Sequence, residues 1–485
     1  MSISTGFGAA PQWAQTHFGE VVLGDVRRSR RVVTLAAGWA REPGASIPRL
    51  SQGQAYASKA AYRLQGHVQA TPDARQTPHR QQVTQQLQAP GTYLLVEDTT
   101  ELSWPEAAER RPGLGPVGPG KATSQGVLLH SLLAAAWPAQ DPDPAAKRPA
   151  LPLLGLLDQQ YHVRQPVPEG EKAHPHGGSR PRQGRVRESA LWTQSLRAVG
   201  QPPAGTRWVV VADRGADIYE HLRQCHTQGL GFVVRAAQDR ALVAGPAKTP
   251  AGRLFEVARA QPSAGTFTLA LRGRPRQPAR EVVLQLSFSP ALALRAPQRP
   301  GGATGKGEPV PASLVRVWEA TGPDAAPGLE WLLLCDQPVT DLAQALACVR
   351  QYTSRWLIED FHKALKTGLG AEKLQLQTAA RLFAAVALLS VVALALVDLR
   401  EKSRLEPDLP AEAADLTPTE LRVLRHQSRR PLDTVRAVFL ALAALGGHLG
   451  RTGDGPPGWQ TLWLGRRSLR LLVEGVHMAA QLRDE

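Results

Sequence analysis

A chain of 485 residues, 42% hydrophobic and 20% charged, is ordinary globular material with room for about two to four domains. Its formal net charge of +15 favours a polyanionic partner, nucleic acid first. Of 57 basic residues only 10 are Lys, leaving 47 Arg, whose planar fork suits phosphates and guanine edges. Cys225, Cys335 and Cys348 show no CxxC spacing. Neither a zinc ribbon nor a disulfide framework is supported, and a reducing cytosol is expected. The N-terminus lacks a basic segment followed by an apolar one, so secretion is not expected.

The first 70 residues read as helical and basic. In LGDVRRSRRVV, Asp25 stands at an N-cap position and Arg27, Arg28, Arg30 and Arg31 follow within five positions. That cluster is either a solvated helix face or, since four close arginines repel without an anion, a DNA-backbone contact. GTYLLVEDTTELSW (91–104) reads as a strand, as do GVLLHSLLAAAW (126–137) and ALPLLGLLDQQYHV (150–163). The stretches 141–149 and 174–185 are loops by composition. His174 and His176 lie in the second, where a solvent loop and a metal pair are the alternatives. RVRESALWTQSLRAV (185–199) is a helix, and TRWVVVADRGADIYEHL (206–222) passes from a buried strand into a helix. About 90 residues rich in Gly, Pro and Arg follow, a β-rich insertion at about 237–330. WLLLCDQP (331–338) is again a strand.

YTSRWLIEDFHKALKTG (352–368) predicts a helix with Tyr352, Arg355, Glu359, Lys363 and Lys366 in one row and Leu357, Phe361, Ala364 and Leu365 opposite. The 16-residue apolar run Leu382–Val397 falls just short of a membrane span and reads as a buried core helix. A Pro- and acid-rich linker (404–420) leads to a final helical unit, where Trp459 and Trp463 read as core or dimer contacts. His130, in LLHSLL, reads as packing beside its strand.

Two acids close buried strands: Asp98 ends YLLVED and Asp213 ends WVVVAD. Each alone could simply cap the next turn. A desolvated carboxylate is otherwise costly without a cation or donors. With Glu359, three acids from two strands and a helix could hold two divalent cations about 3.5–4 Å apart. Hard oxygen ligands favour Mg2+ or Mn2+ over zinc.

These motifs resemble DDE transposases of the insertion-sequence-four family, from about residue 10 to the end. The family hallmark is Tyr, two residues, Arg, three residues, Glu, six residues, Lys. It is met by Tyr352, Arg355, Glu359 and Lys366, with EDTT, VADRGADIYEHL, LGDVRRSRRV and WLLLCDQPVTDLAQAL as further matching blocks. The resemblance implies an α/β, RNase H-like mixed sheet with helices, interrupted by the β-rich insertion and flanked by N- and C-terminal helical regions. The implied boundaries are 1–70 for end binding, 71–403 for catalysis and 404–485 for the linker and dimerisation. It implies a cut-and-paste, hairpin-forming enzyme with Asp98, Asp213 and Glu359 as catalytic ligands of two Mg2+ ions, Mn2+ substituting. Tyr352, Arg355, Lys363, Lys366, Arg235 and the four N-terminal arginines would contact DNA, and Trp331 would accept a flipped base. The implied partners are double-stranded DNA, as transposon ends and target, and a second copy in a synaptic homodimer, in the cytoplasm with no membrane. A nuclease of the same fold that does not join strands, and a non-catalytic DNA-binding relic, are the rival readings. One departure stands out: Gly215 occupies the place of a family Glu in VADRGAD.

Overall fold

The computed structural model describes residues 10–104, 111–118, 124–138, 150–165, 187–245, 247–271, 280–297, 307–320, 328–414, 416–428, 430–451 and 454–484. The segments 141–149 and 174–185, with His174 and His176, lie outside the described residues.

Helices open the chain: α1 (Ala10–Phe18), α2 (Val26–Arg41), α3 (Ile47–Leu50), α4 (Ala55–Gln65) and α5 (Pro72–Gln86). Asp25 caps α2, its carboxylate accepting from the Arg27 N–H at 2.8 Å, which satisfies one of the orphan donors of a helix start. The long apolar run lies within α11 (Ala379–Leu405). By length and composition it could cross a membrane, yet its most apolar window is 94% buried inside the protein, so it is a core helix.

Arg75 is fully buried on α5. Its guanidinium donates to the carbonyls of Leu64, Ala70 and Ala384 and to Gln65 Oε1, at 2.7–3.0 Å. One side chain thus ties α4 and α5 to the core helix. Truncation would orphan several buried acceptors, each costing about 1–3 kcal/mol. Arg75→Ala should therefore lose on the order of 3 kcal/mol or more, read as a lower urea midpoint.

Among the described residues twelve strands make one mixed sheet. They are β1 (Gly91–Trp104), β2 (Gly115–Pro116), β3 (Gln125–Trp137), β4 (Leu153–His162), β5 (Thr206–Ala212), β6 (Gly231–Arg235), β7 (Ala241–Ala244), β8 (Thr249–Arg253), β9 (Gly265–Leu271), β10 (Arg280–Leu294), β11 (Val310–Glu319) and β12 (Glu330–Cys335). β1, β3 and β4 form an antiparallel meander, while β5 and β6 run parallel to β1 on its other side. The side chains of β1 alternate between two cores, Leu94 and Val96 on one face and Tyr93 and Leu95 on the other. That is the expected period of two for a strand buried on both faces. The first face is covered by the N-terminal helices, α9 (Leu342–Thr353), α10 (Trp356–Lys363) and α11; the second takes α6 (Ala190–Val199) and α7 (Tyr219–Gln228).

The 237–330 segment is β-rich, with α8 (Leu254–Ala260) among its strands, and its β10 and β11 continue the main sheet beyond β12. Two expectations need correction. Asp98 does not end its strand, because β1 runs on to Trp104, paired with β3. The row from Tyr352 to Lys366 is not one helix. Thr353 and Ser354 hydroxyls both donate back to the Arg350 carbonyl, at 2.8 and 3.1 Å, an arrangement that bends helices. α9 stops there and α10 restarts at Trp356. From Ala364 to Gly368 the chain then widens into a π-turn, a form frequent at functional sites.

The chain closes with α12 (Pro418–Gln427), α13 (Val435–Leu445) and α14 (Trp459–Asp484), which share a small core of their own. Trp459 is buried and joins the main core. Leu471, Met478 and Leu482, at spacings of seven and four along α14, are exposed.

Candidate active site

The parallel ladder between β1 and β5 ends at Val96 opposite Val211. Asp98 and Asp213 each follow two residues later, so they stand side by side past the ladder's carboxyl end. Strand spacing there is about 4.8 Å. α10 packs against β1 through its buried residues Leu357, Ile358 and Phe361, which brings Glu359 to the same edge. Arg355, at the break before α10, links the two elements: its guanidinium lies 2.6 Å from Glu359 and 3.8 Å from Asp98.

Each aspartate is oriented by a local amide. The Thr99 N–H donates to Asp98 Oδ1 at 2.7 Å and the Gly215 N–H to Asp213 Oδ1 at 2.6 Å. Burial and then the Asp213 charge push the Asp98 carboxyl up to about 6, against the pull of Thr99 and Arg355. Crowded carboxylates that resist ionisation are a place where a cation lowers the free energy. The donor set therefore fits a hard divalent ion. Among the described residues no ready-made ligand cluster is closed; Arg355 occupies the position between Asp98 and Glu359.

The other expected DNA contacts fall into two groups. Lys363 is exposed and Lys366 half-buried on the π-turn. Burial and then the Lys366 charge push the neighbouring His362 down to about 3. Arg27 is 85% exposed, and Arg30 is also exposed. By contrast, Arg28 is hooked onto the Leu23 carbonyl and Gln69, and Arg31 onto the Ala57 carbonyl. Arg235 donates to the Glu330 carbonyl at 3.0 Å. Tyr352 and Trp331 are buried edge to face, ring centres 5.4 Å apart, with the Arg355 guanidinium 5.9 Å from the Tyr352 ring centre. Both aromatics are buried, and Tyr352 packs on Trp331 on one side and meets the Arg355 guanidinium on the other.

Sequence reasoning missed a polar cluster under the site. Glu97 is fully buried, His130 Nε2 lies 3.3 Å from its Oε2, and His221 Nε2 lies 3.1 Å from its Oε1. Burial works to raise the Glu97 carboxyl, but the histidines outweigh it and hold it low. An acid directly before Asp98 and a His within an apolar strand were the available signals.

Residues 178–396, which include Asp213 and Glu359, match the family model described as transposase DDE domain. The chain is a DDE transposase. It is therefore a metal-dependent enzyme of DNA cleavage and strand transfer, and the match implies an RNase H-like fold, with which the order β4-β3-β1-β5-β6 agrees. Residues 10–70 of the transposase match a transposase DNA-binding model, and residues 391–484 match the transposase Tn5 dimerisation domain. The two ends thus assign DNA binding and homodimer formation, and the exposed apolar stripe of α14 lies within the second match.

Proposed function

We propose that this transposase belongs to the insertion-sequence-four family. In this reading it is a cytoplasmic cut-and-paste enzyme that binds its own transposon ends through residues 1–70, cleaves within 71–403 and pairs through 404–485. Asp98, Asp213 and Glu359 are proposed to hold two Mg2+ ions, Mn2+ substituting, in a synaptic homodimer. The observation that carries this reading is the Arg355 guanidinium held between Asp98 and Glu359, a cation already drawn to the carboxylates. When bound, such metals activate a water or 3′-hydroxyl and stabilise the leaving oxygen. Arg355 neutralises the carboxylates in the free protein. An arriving phosphodiester competes for its guanidinium and releases Asp98 and Glu359 as ligands, while Lys363 and Lys366 take flanking phosphates.

The reaction sequence is proposed to be nicking, hairpin formation, hairpin opening and joining, with Trp331 stacking an extruded base once the Tyr352 contact opens. Full-length protein with Mg2+ and a DNA fragment carrying the element's own inverted ends should yield hairpin-ended and then joined products. Cutting without joining would leave a nuclease instead. Trp331→Ala should impair the hairpin far more than the first nick, with partial rescue by an abasic site, since stacking returns roughly 1–3 kcal/mol per base.

The exposed arginines give a separate test of end binding. Arg27→Ala with Arg30→Ala removes two exposed charges, so the slope of log affinity against log salt should flatten by about two. Arg28→Ala with Arg31→Ala should instead lower the melting temperature of the N-terminal helices. Equal slope changes for both pairs would sink this division of labour.

A further inference from the structure

Glu97 and Thr99 lie on the face of β1 opposite Asp98, and His130 is paired with Thr99 across the ladder. His130 Nδ1 is 2.8 Å from the Thr99 hydroxyl, and its Nε2 is 3.3 Å from the Glu97 carboxylate. With Nε2 donating to the carboxylate, Nδ1 of a neutral ring accepts the Thr99 O–H. Thr99 in turn supplies the amide that orients Asp98. The ring of Trp192, on α6, stands edge-on to both His130 and His221, with centres 4.8 and 5.9 Å apart. The same ring approaches Gly215, where a β-carbon would lie 3.0 Å from Trp192 Cζ2 and 2.9 Å from Asp213 Oδ1. This is why no larger residue fits at 215 without moving the indole or the carboxylate. Both amide donors to the aspartates, Thr99 and Gly215, therefore rest on one buried cluster.

We propose that Glu97, His130, Thr99 and Trp192 are positioning residues that hold the Asp98 and Asp213 carboxylates in mutual register for a divalent cation. The proposal rests on the reading of Asp98 and Asp213 as metal ligands. None of the four touches DNA or cation; each acts through the amides of Thr99 and Gly215. His221 closes the cluster beside Glu97. A cluster that served folding alone would show its effect in the metal-free protein. A positioning cluster shows it in cation affinity.

The test uses full-length Thr99→Val, Glu97→Gln and Gly215→Ala, with Mn2+ binding followed by electron paramagnetic resonance and cleavage followed against Mn2+ concentration. Losing partners that orient metal ligands costs about 10–100-fold in metal affinity. Half-saturation should rise by about that factor, with DNA affinity unchanged and cleavage restored at excess Mn2+. If Glu97→Gln fails to fold, Thr99→Val and Gly215→Ala carry the test, the first by loss of one hydroxyl and the second from the surface side of Trp192. Half-saturation within about twofold of wild type in the folded variants would overturn the proposal. So would a loss of cleavage that excess Mn2+ does not restore. Asp98→Asn separates this failure from that of the underlying reading: wild-type Mn2+ binding there would overturn the metal-ligand assignment itself.

Discussion

Asp98→Asn should abolish Mg2+-dependent cleavage and yet raise the stability of the metal-free protein. The carboxyl is pushed up to about 6 by burial and by Asp213, and its side chain is 19% exposed. An unfolded aspartate titrates near 3.9. Between those values the folded chain holds more protons than the unfolded one, so stability falls as pH rises through the window and stays lower at neutral pH. A shift of about two units corresponds to a penalty on the order of 2–3 kcal/mol. Asn keeps the shape and removes the charge. Its advantage should be full at pH 7.5, shrink between pH 6 and pH 4, and vanish below. Saturating Mg2+ should reverse the order, since only the wild-type ligand set gains from cation binding. Melting curves at pH 7.5 and at about pH 4, with and without Mg2+, read the effect, and gel shifts should find end binding intact. A lower metal-free melting temperature for Asp98→Asn, or cleavage within about tenfold of wild type, would mean that Asp98 is not a strained ligand.

The elements with strong local signals were legible in the sequence. β1 was bounded at 91–104 because an apolar run with aromatic and β-branched residues admits little else, and Asp25 was readable as a cap from its place before the first turn. Asp98 and Asp213 stand out in the sequence because a charged residue in an apolar strand demands a reason. What failed depended on partners distant in sequence. Within YLLVED alone Asp98 looks terminal, although 91–104 reads as one strand; β3, pairing with β1 as far as Trp104, holds the continuation past Asp98. Helical spacing carries a single helix through Ser354 because it ignores hydroxyls that bond back to the chain. The packing of Tyr352 on Trp331 joins residues 21 positions apart, so no local pattern carries it. Glu97 is masked by its neighbour: alternation places it on the face opposite Asp98, and its histidine partners come from another strand and a helix.

Acidification should release the N-terminal helices from the catalytic sheet. His79 Nε2 accepts the Leu156 N–H at 3.0 Å, so its own proton must sit on Nδ1, 3.0 Å from His17 Nδ1. His17 belongs to α1, His79 to α5 and Leu156 to β4, and a second proton on either ring breaks this chain of contacts. Trp13 and Asp398 line the same cavity as the pair, and Arg80, which faces Asp158 at 3.7 Å, lies near His79. Burial pushes His17 down to about 4, and burial with the neighbouring His17 and Arg80 holds His79 well below the usual range. An unfolded histidine titrates near 6.5. In the window from about 6.5 to 4 the unfolded chain therefore binds more protons, and stability rises with pH. The contribution is complete above the unfolded value and is lost as pH falls toward 4. For His17 alone it amounts to roughly 3 kcal/mol. Hydrogen exchange at pH 7.5 and pH 5, corrected for intrinsic rates, should show α1 and the Leu156 amide losing protection at the lower pH. His79→Gln keeps an acceptor for Leu156 but cannot take a proton in this range, so it should flatten the dependence of urea stability on pH. An unchanged slope in that variant would place the acid sensitivity elsewhere.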